Sequence, residues 1–161
     1  MTIARRPLTS LFAVVLALAG PAAAAPPAGD ACETMFAWIT AEQVGFHADS
    51  AELRQSSLNV LYRLAEFARD CPASRIAVTG HTDGVGDAGY NRVLSEQRAR
   101  AVADFLESLG FPGDRLVVRG AGADEPLDDN ATAWGRKRNR RIEFDLLDAE
   151  GAGGGASENA Q

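Results

Sequence analysis

Apolar residues recur along this chain at two different periods. From residue 53 to 71, Leu53, Val60, Leu61, Leu64, Phe67, Ala68 and Cys71 fall on one stripe at helical spacing. Asp49-Ser50-Ala51-Glu52 ahead of them reads as a helix start with Asp49 or Ser50 as cap, and Pro72 ends the helix. A second helix is predicted from Tyr90 to Leu109, closed by Gly110 and Pro112. Alternation takes over elsewhere. Val44 and Phe46, Ile76 and Val78, Leu116 and Val118, then Ile142, Phe144 and Leu146 each mark a short strand. The stretch "APPAGDA" reads as a flexible start and "WGRKRNR" as a basic turn or short helix. The resulting β-α-β-α-β-β order predicts an α/β sandwich, one small mixed sheet packed against two long helices.

The first residues follow a different logic. A basic start with Arg5 and Arg6, the apolar run "LFAVVLALAG" and the small residues before Ala24 predict a cleavable secretory leader over 1–24. The run is too short for a spanning helix, so a retained membrane anchor is the lesser reading, and no other stretch is apolar enough to span a bilayer. Cys32 lies well past that run and is not read as a lipid-carrying cysteine. About 137 residues then remain of 161, one ordinary domain. The expected division is a segment 25–39, a folded domain 40–147 and a disordered Gly/Ala-rich tail 148–161. Losing Arg5 and Arg6 takes the formal charge from −6 to −8, which argues against a nucleic-acid partner. In an oxidising compartment Cys32 and Cys71 are expected to pair, tying the N-terminal segment to the first helix; two free core thiols are the other reading.

One residue breaks the apolar stripe of the second helix. On a wheel of about 100° per residue, Leu94, Ala99, Val102, Phe105, Leu106 and Leu109 share a side, and Asn91 and Arg98 share it too. Glu96, Asp104 and Glu107 fall opposite, out of reach of Arg98. An inward guanidinium needs an anion, because an unpaired buried charge costs several kcal/mol. Either an acid elsewhere in the chain pairs with it, Asp83 included, or the long side chain snorkels to the rim, or the site takes a carboxylate from outside, which arginine grips with two parallel bonds. Asp83 follows a strand among Gly80, Gly84 and Gly86, where backbone N–H groups and a helix N-terminus could add to an anion site. Asp83 for an ammonium and Arg98 for a carboxylate would suit an amino-acid head group.

Three separated motifs then carry a resemblance. Thr79-Gly80-His81-Thr82-Asp83; Asn91, Leu94-Ser95, Arg98-Ala99 and Val102; and Asn139-Arg140-Arg141-Ile142-Glu143-Phe144 together resemble the OmpA-like C-terminal domain. That family includes peptidoglycan-associated lipoproteins and the periplasmic part of flagellar stator proteins. The similarity spans roughly 40 to 147. It implies non-catalytic, non-covalent binding of peptidoglycan in the cell envelope, through the diaminopimelate of the stem peptide. The implied ligand set is Asp83 on the ammonium and Arg98 on the carboxylate, with Leu94 packing on the ligand, Arg141 bordering it, and Thr82, Asn91 and Asp49 nearby. It further implies a periplasmic location, with the outer membrane close by, and no cofactor. Ala48 stands where the family often has an aromatic, which implies a more open rim.

Other features carry less. His81 is read as structural, and neither it nor His47 belongs to a metal-ligand cluster. The basic run 136–141 is read as supporting the sheet edge and bordering the pocket, and Trp134 as packing in preference to stacking on a sugar. Asn130-Ala131-Thr132 fits a glycosylation sequon of low specificity. Two other function classes stay open: an adaptor that keeps the fold to bind an envelope protein, and an envelope hydrolase using Asp83 with His81. No paired-carboxylate, nucleophile-elbow or metal constellation favours the hydrolase.

Overall fold

A computed structural model describes residues 28–147. The predicted leader and tail lie outside those residues. In chain order the elements are α1 (Ala28–Thr40), α2 (Leu58–Asp70), β1 (Arg75–His81), α3 (Ala88–Ser108), β2 (Leu116–Gly122), α4 (Ala133–Asn139) and β3 (Ile142–Leu147). Strand β1 is central. It pairs parallel with β2 on one edge and antiparallel with β3 on the other. Ile76 and Val78 of β1 are fully buried and meet Leu61, Leu64, Phe67, Val102 and Leu106 from the helices. The opposite sheet face exposes Val117, Arg119, Glu143 and Asp145. The molecule is therefore two layers, helices over one face of a mixed sheet, as the periodicity predicts.

What sets the distance between the layers is backbone without side chains. Gly80 and Gly120 are register partners in β1 and β2. A Cβ on Gly80 would stand 2.0 Å from the Ser95 carbonyl oxygen of α3, and one on Gly120 would stand 2.6 Å from the Glu96 nitrogen. Helix α3 thus lies directly on the strands. Ser95 Oγ accepts from the Gly122 N–H at 2.9 Å and donates to the Arg92 carbonyl at 2.7 Å, which fixes the register of the helix. Gly80 was expected to open the backbone to a ligand; it instead admits the helix.

Two parts of the fold differ from the sequence expectation. The N-terminal segment is no flexible start: 28–40 is a helix, with Phe36 and Ile39 buried and Cys32 and Met35 packed against the core. The strand expected at Val44 and Phe46 shrinks to a single antiparallel bridge, Phe46 to Leu53. Consequently the first long helix does not begin at Asp49 or Ser50. Asp49 adopts a left-handed backbone (φ 46°) at the tip of this hairpin, a conformation aspartate tolerates better than most residues. Ser50 Oγ accepts from the Glu52 N–H in a local turn, and α2 starts only after a short 3₁₀ turn, Gln55–Ser57. Of the two readings of the basic stretch, turn or short helix, the helix is found, α4, but Trp134 on it is 67% exposed where packing is expected.

Cys32 and Cys71 form a disulfide, as expected, joining α1 to the end of α2. Arg115 closes the same corner. Its guanidinium donates to the carbonyls of Ser74, Ala68 and Cys71, satisfying acceptors that a helix end leaves open.

Two outcomes follow from this packing. Denatured, unreduced protein should show no reactive thiol at Cys32 or Cys71, and replacing both by serine should lower the urea-unfolding free energy by about 2–4 kcal/mol, the usual effect of opening so long a loop. Gly80→Ala should cost about 3 kcal/mol or more by overpacking the helix against the strand. An unchanged melting temperature for that variant would contradict the close approach.

Candidate functional site

A cleft of about 710 Å³ opens beyond the C-terminal end of β1, where parallel strands commonly present their ligands. Three walls form it: the hairpin 43–54, the loop between β1 and α3, and the basic side of α4. The hairpin is held by backbone bonds from His47 to Glu52 and from Arg54 to Gly45, both 3.0 Å. Ser57 braces it by engaging both the N–H and the carbonyl of Gly45. At the other wall, β1 ends between its neighbours. His81 N–H donates to the Arg141 carbonyl and Thr82 N–H to the Gly122 carbonyl, which fixes where Asp83 leaves the sheet.

All seven residues expected to contact ligand line this one cleft: Asp49, Thr82, Asp83, Asn91, Leu94, Arg98 and Arg141. Their separate roles are less uniform. Arg98 is 7% exposed. Its Nε donates to the Ser50 carbonyl at 2.9 Å, and its guanidinium carbon sits 5.3 Å from the centre of the Phe46 ring. Neither Nη nitrogen has a hydrogen-bond partner among the described residues, and no carboxylate pairs with it there. Burial disfavours its charge most; Asp49 offsets part of this and Arg140 adds repulsion.

Asp83 is held from two sides, and neither is Arg98. Its Oδ2 accepts from Arg140 Nη1 at 2.6 Å and its Oδ1 from the Val85 N–H at 3.1 Å. Asn91 acts on the same loop from beneath, donating to the Val85 carbonyl at 3.0 Å and more weakly to that of Asp83 at 3.4 Å. Thr82 is 4% exposed, and its hydroxyl has no hydrogen-bond partner among the described residues. Leu94 supplies an apolar floor. Arg141 turns mostly toward Glu143, with which it pairs at 2.7 Å, so it borders the cleft without a free charge. Arg54 and Lys137 also line the cleft, and neither pairs with a carboxylate among the described residues.

The backbone anion nest expected around Gly84 is already filled. Gly84 N–H donates to Asn130 Oδ1, Val85 N–H to Asp83, and Tyr90 N–H at the start of α3 to Asp87. Anion recognition therefore falls to side-chain cations. Asn130 is a brace here: the same Oδ1 accepts from Asn139 Nδ2, and Asn139, itself fully buried, binds the backbone of Leu127 and Asp128. The residue whose role at Asp83 sequence reasoning missed is Arg140. It stood in the basic run, but nothing local connects it with an aspartate 57 positions away.

His81 is 1% exposed, and its two ring nitrogens make no hydrogen bond within the described residues. Glu143 Oε2 lies 3.2 Å from Nε2, an ion pair only if the ring is protonated. Burial holds its pKa below the ordinary 6.5, helped by Arg141 and opposed by Glu143. Asp83, engaged by Arg140 and Val85, does not bond to it.

Comparison with known proteins bears on this arrangement. The sequence profile of the OmpA family matches residues 45–140, which contain the first two motifs, the start of the third and six of the seven cleft residues. Peptidoglycan-binding protein ArfA of Mycobacterium tuberculosis is 37% identical over 128 residues, covering 78% of this chain and 39% of ArfA. The chain thus spans about two fifths of that relative's length. Outer-membrane lipoprotein YfiB of Pseudomonas aeruginosa is 33% identical over 147 residues, covering 83% of this chain and 88% of YfiB. The crystal structure of the peptidoglycan-associated lipoprotein from Burkholderia pseudomallei superposes with a TM-score of 0.63 at 24% identity, over 68% of this chain and 93% of that one, and shares the fold.

The buried histidine makes stability depend on pH. Its folded pKa lies below its unfolded one, so its contribution is complete above about pH 6.5. As pH falls below that value the unfolded chain takes up the proton first, and stability drops until the lowered folded pKa is reached. Between pH 7.5 and 5.5 the wild type should lose more of its urea midpoint than His81→Gln does. Equal losses would show that the ring is not held neutral.

Proposed function

The chain belongs to the OmpA family, and from that we propose that its cleft binds peptidoglycan non-covalently in the bacterial envelope, without acting on it chemically. The observation that carries the reading is Arg98. A buried guanidinium with its Nε satisfied and its outer nitrogens unpartnered among the described residues is a carboxylate receptor kept in waiting. Asp83 supplies the opposite charge on the facing loop, held in place by Arg140 and Val85. Together they suit a zwitterionic head group, and diaminopimelate at the third position of a stem peptide carries one on its side chain. In this reading Arg98 takes the carboxylate and Asp83 the ammonium. Leu94 packs against the methylenes between, and the Thr82 hydroxyl offers a further bond. Arg141 and Asp49 shape the rim. The relative named for peptidoglycan binding, ArfA, matches over 78% of this chain and supports the substrate class. An exported protein whose leader 1–24 is removed would meet this polymer in the periplasm. The domain would then be 40–147, with α1 bound to it through Cys32.

Co-sedimentation with purified sacculi tests the proposal. Arg98→Ala should lose about 2–5 kcal/mol of binding, the range for truncating one member of a buried charged contact. Arg98→Lys should also bind more weakly, because a point charge cannot reproduce the two-pronged grip. Asp83→Asn should fall with Arg98→Ala. Melting curves check that each variant is folded. Folded Arg98→Ala and Asp83→Asn proteins that pellet as well as the wild type would overturn the reading.

A further inference from the structure

Resting on the peptide-binding reading of the cleft, we infer that the site continues onto the surface of α4 and grips the glycan as well as the stem peptide, with Trp134 as a stacking platform for a sugar ring. The indole is 67% exposed, although large aromatics normally bury most of their surface. The ammonium of Lys137 lies 5.9 Å from the ring centre. Lys137 lines the cleft, and so does Arg140, which holds Asp83. Trp134 and Lys137 lie three apart on α4 and Arg140 caps its C-terminal end, so the three form a slanting stripe that winds about a third of a turn around the helix. At about 1.5 Å of rise per residue the stripe is roughly 9 Å long. It runs from the carboxylate proposed to hold the ligand's ammonium out to an exposed aromatic face.

The chemistry along the stripe matches what is covalently attached to such a ligand. Two residues and a lactyl link separate the third stem residue from its sugar, an extended reach of about 10 Å. The acidic second residue would pass Lys137, which pairs with no carboxylate among the described residues. The sugar would then arrive at Trp134, where its C–H face can lie on the electron-rich face of the indole. The platform is also anchored: Asn139 and Asn130 tie α4 and its preceding loop to Gly84, beside Asp83. A lone surface tryptophan would have no fixed distance to the cleft; this one does.

Calorimetric titration of the full chain with two probes tests the inference. One is the bare tetrapeptide containing diaminopimelate; the other is the same peptide carried on its N-acetylglucosamine–N-acetylmuramic acid disaccharide. The wild type should bind the second about three- to tenfold more tightly, the factor one aromatic stacking contact supplies. Trp134→Ala should erase that advantage and leave the affinity for bare peptide unchanged, while Trp134→Tyr should keep part of it. In a Trp38→Phe background, emission from Trp134 should shift with the disaccharide-peptide and not with bare peptide. If the bare peptide binds and the sugar adds nothing, or if Trp134→Ala keeps the advantage, the inference is overturned, and in the latter case the exposed indole serves a protein or lipid contact. If the wild type binds neither probe, the peptide reading of the cleft falls and this inference falls with it.

Discussion

Helix α3 rests on bare backbone, and the site exists because it does. With Gly80 and Gly120 side by side beneath Ser95 and Glu96, the helix comes closer to the sheet than any side chain between them would permit. That depth carries Asn91, Leu94 and Arg98, on the sheetward face of α3, to the level of the end of β1. A helix lifted by even one methyl group would raise the guanidinium away from the Ser50 carbonyl and loosen the hairpin that covers it. Packing and recognition are here one constraint, felt first by the fold and then by the pocket.

The charge arrangement follows from that geometry. Arg98 costs stability, since burial opposes its charge and Asp49 offsets only part of the loss. Its direct contacts are modest: one carbonyl and the face of Phe46. Asp83, by contrast, is satisfied before any ligand arrives. The two halves of a zwitterion would therefore be met differently, the carboxylate by a group that gains a missing partner and the ammonium by one that shares an existing partner.

Much of this was legible in the chain, for physical reasons that differ by element. The edge strands at 116–122 and 142–147 largely alternate because one sheet face is covered and the other wet, and the central strand 75–81 shows the same period at Ile76 and Val78 before its end is buried on both faces, so period finds all three. Arg98 stood out because charge on an apolar stripe is costly. Residues 43–46 alternate just as well, yet the turn at Asp49 returns the chain so soon that only one bridge forms. Helix 28–40 did carry a signal, Cys32, Met35, Phe36 and Ile39 at helical spacing, hidden beside alanine, proline and glycine that read as a linker. Least legible were long-range polar pairs. Arg140 with Asp83 and Asn130 with Gly84 join residues far apart in sequence, and neither leaves a local pattern.

The disulfide has a mechanical consequence. Cys32 and Cys71 close a covalent ring around residues 33–70, and the hairpin 43–54 that forms one wall of the cleft lies inside it. Tension arriving along any chain before Cys32 crosses the sulfurs to Cys71 and passes toward β1. None of it runs through the hairpin, the Ser50 carbonyl or the ring of Phe46. If the cleft holds the wall as proposed, a pull from that side would load the chain behind the grip and not across it.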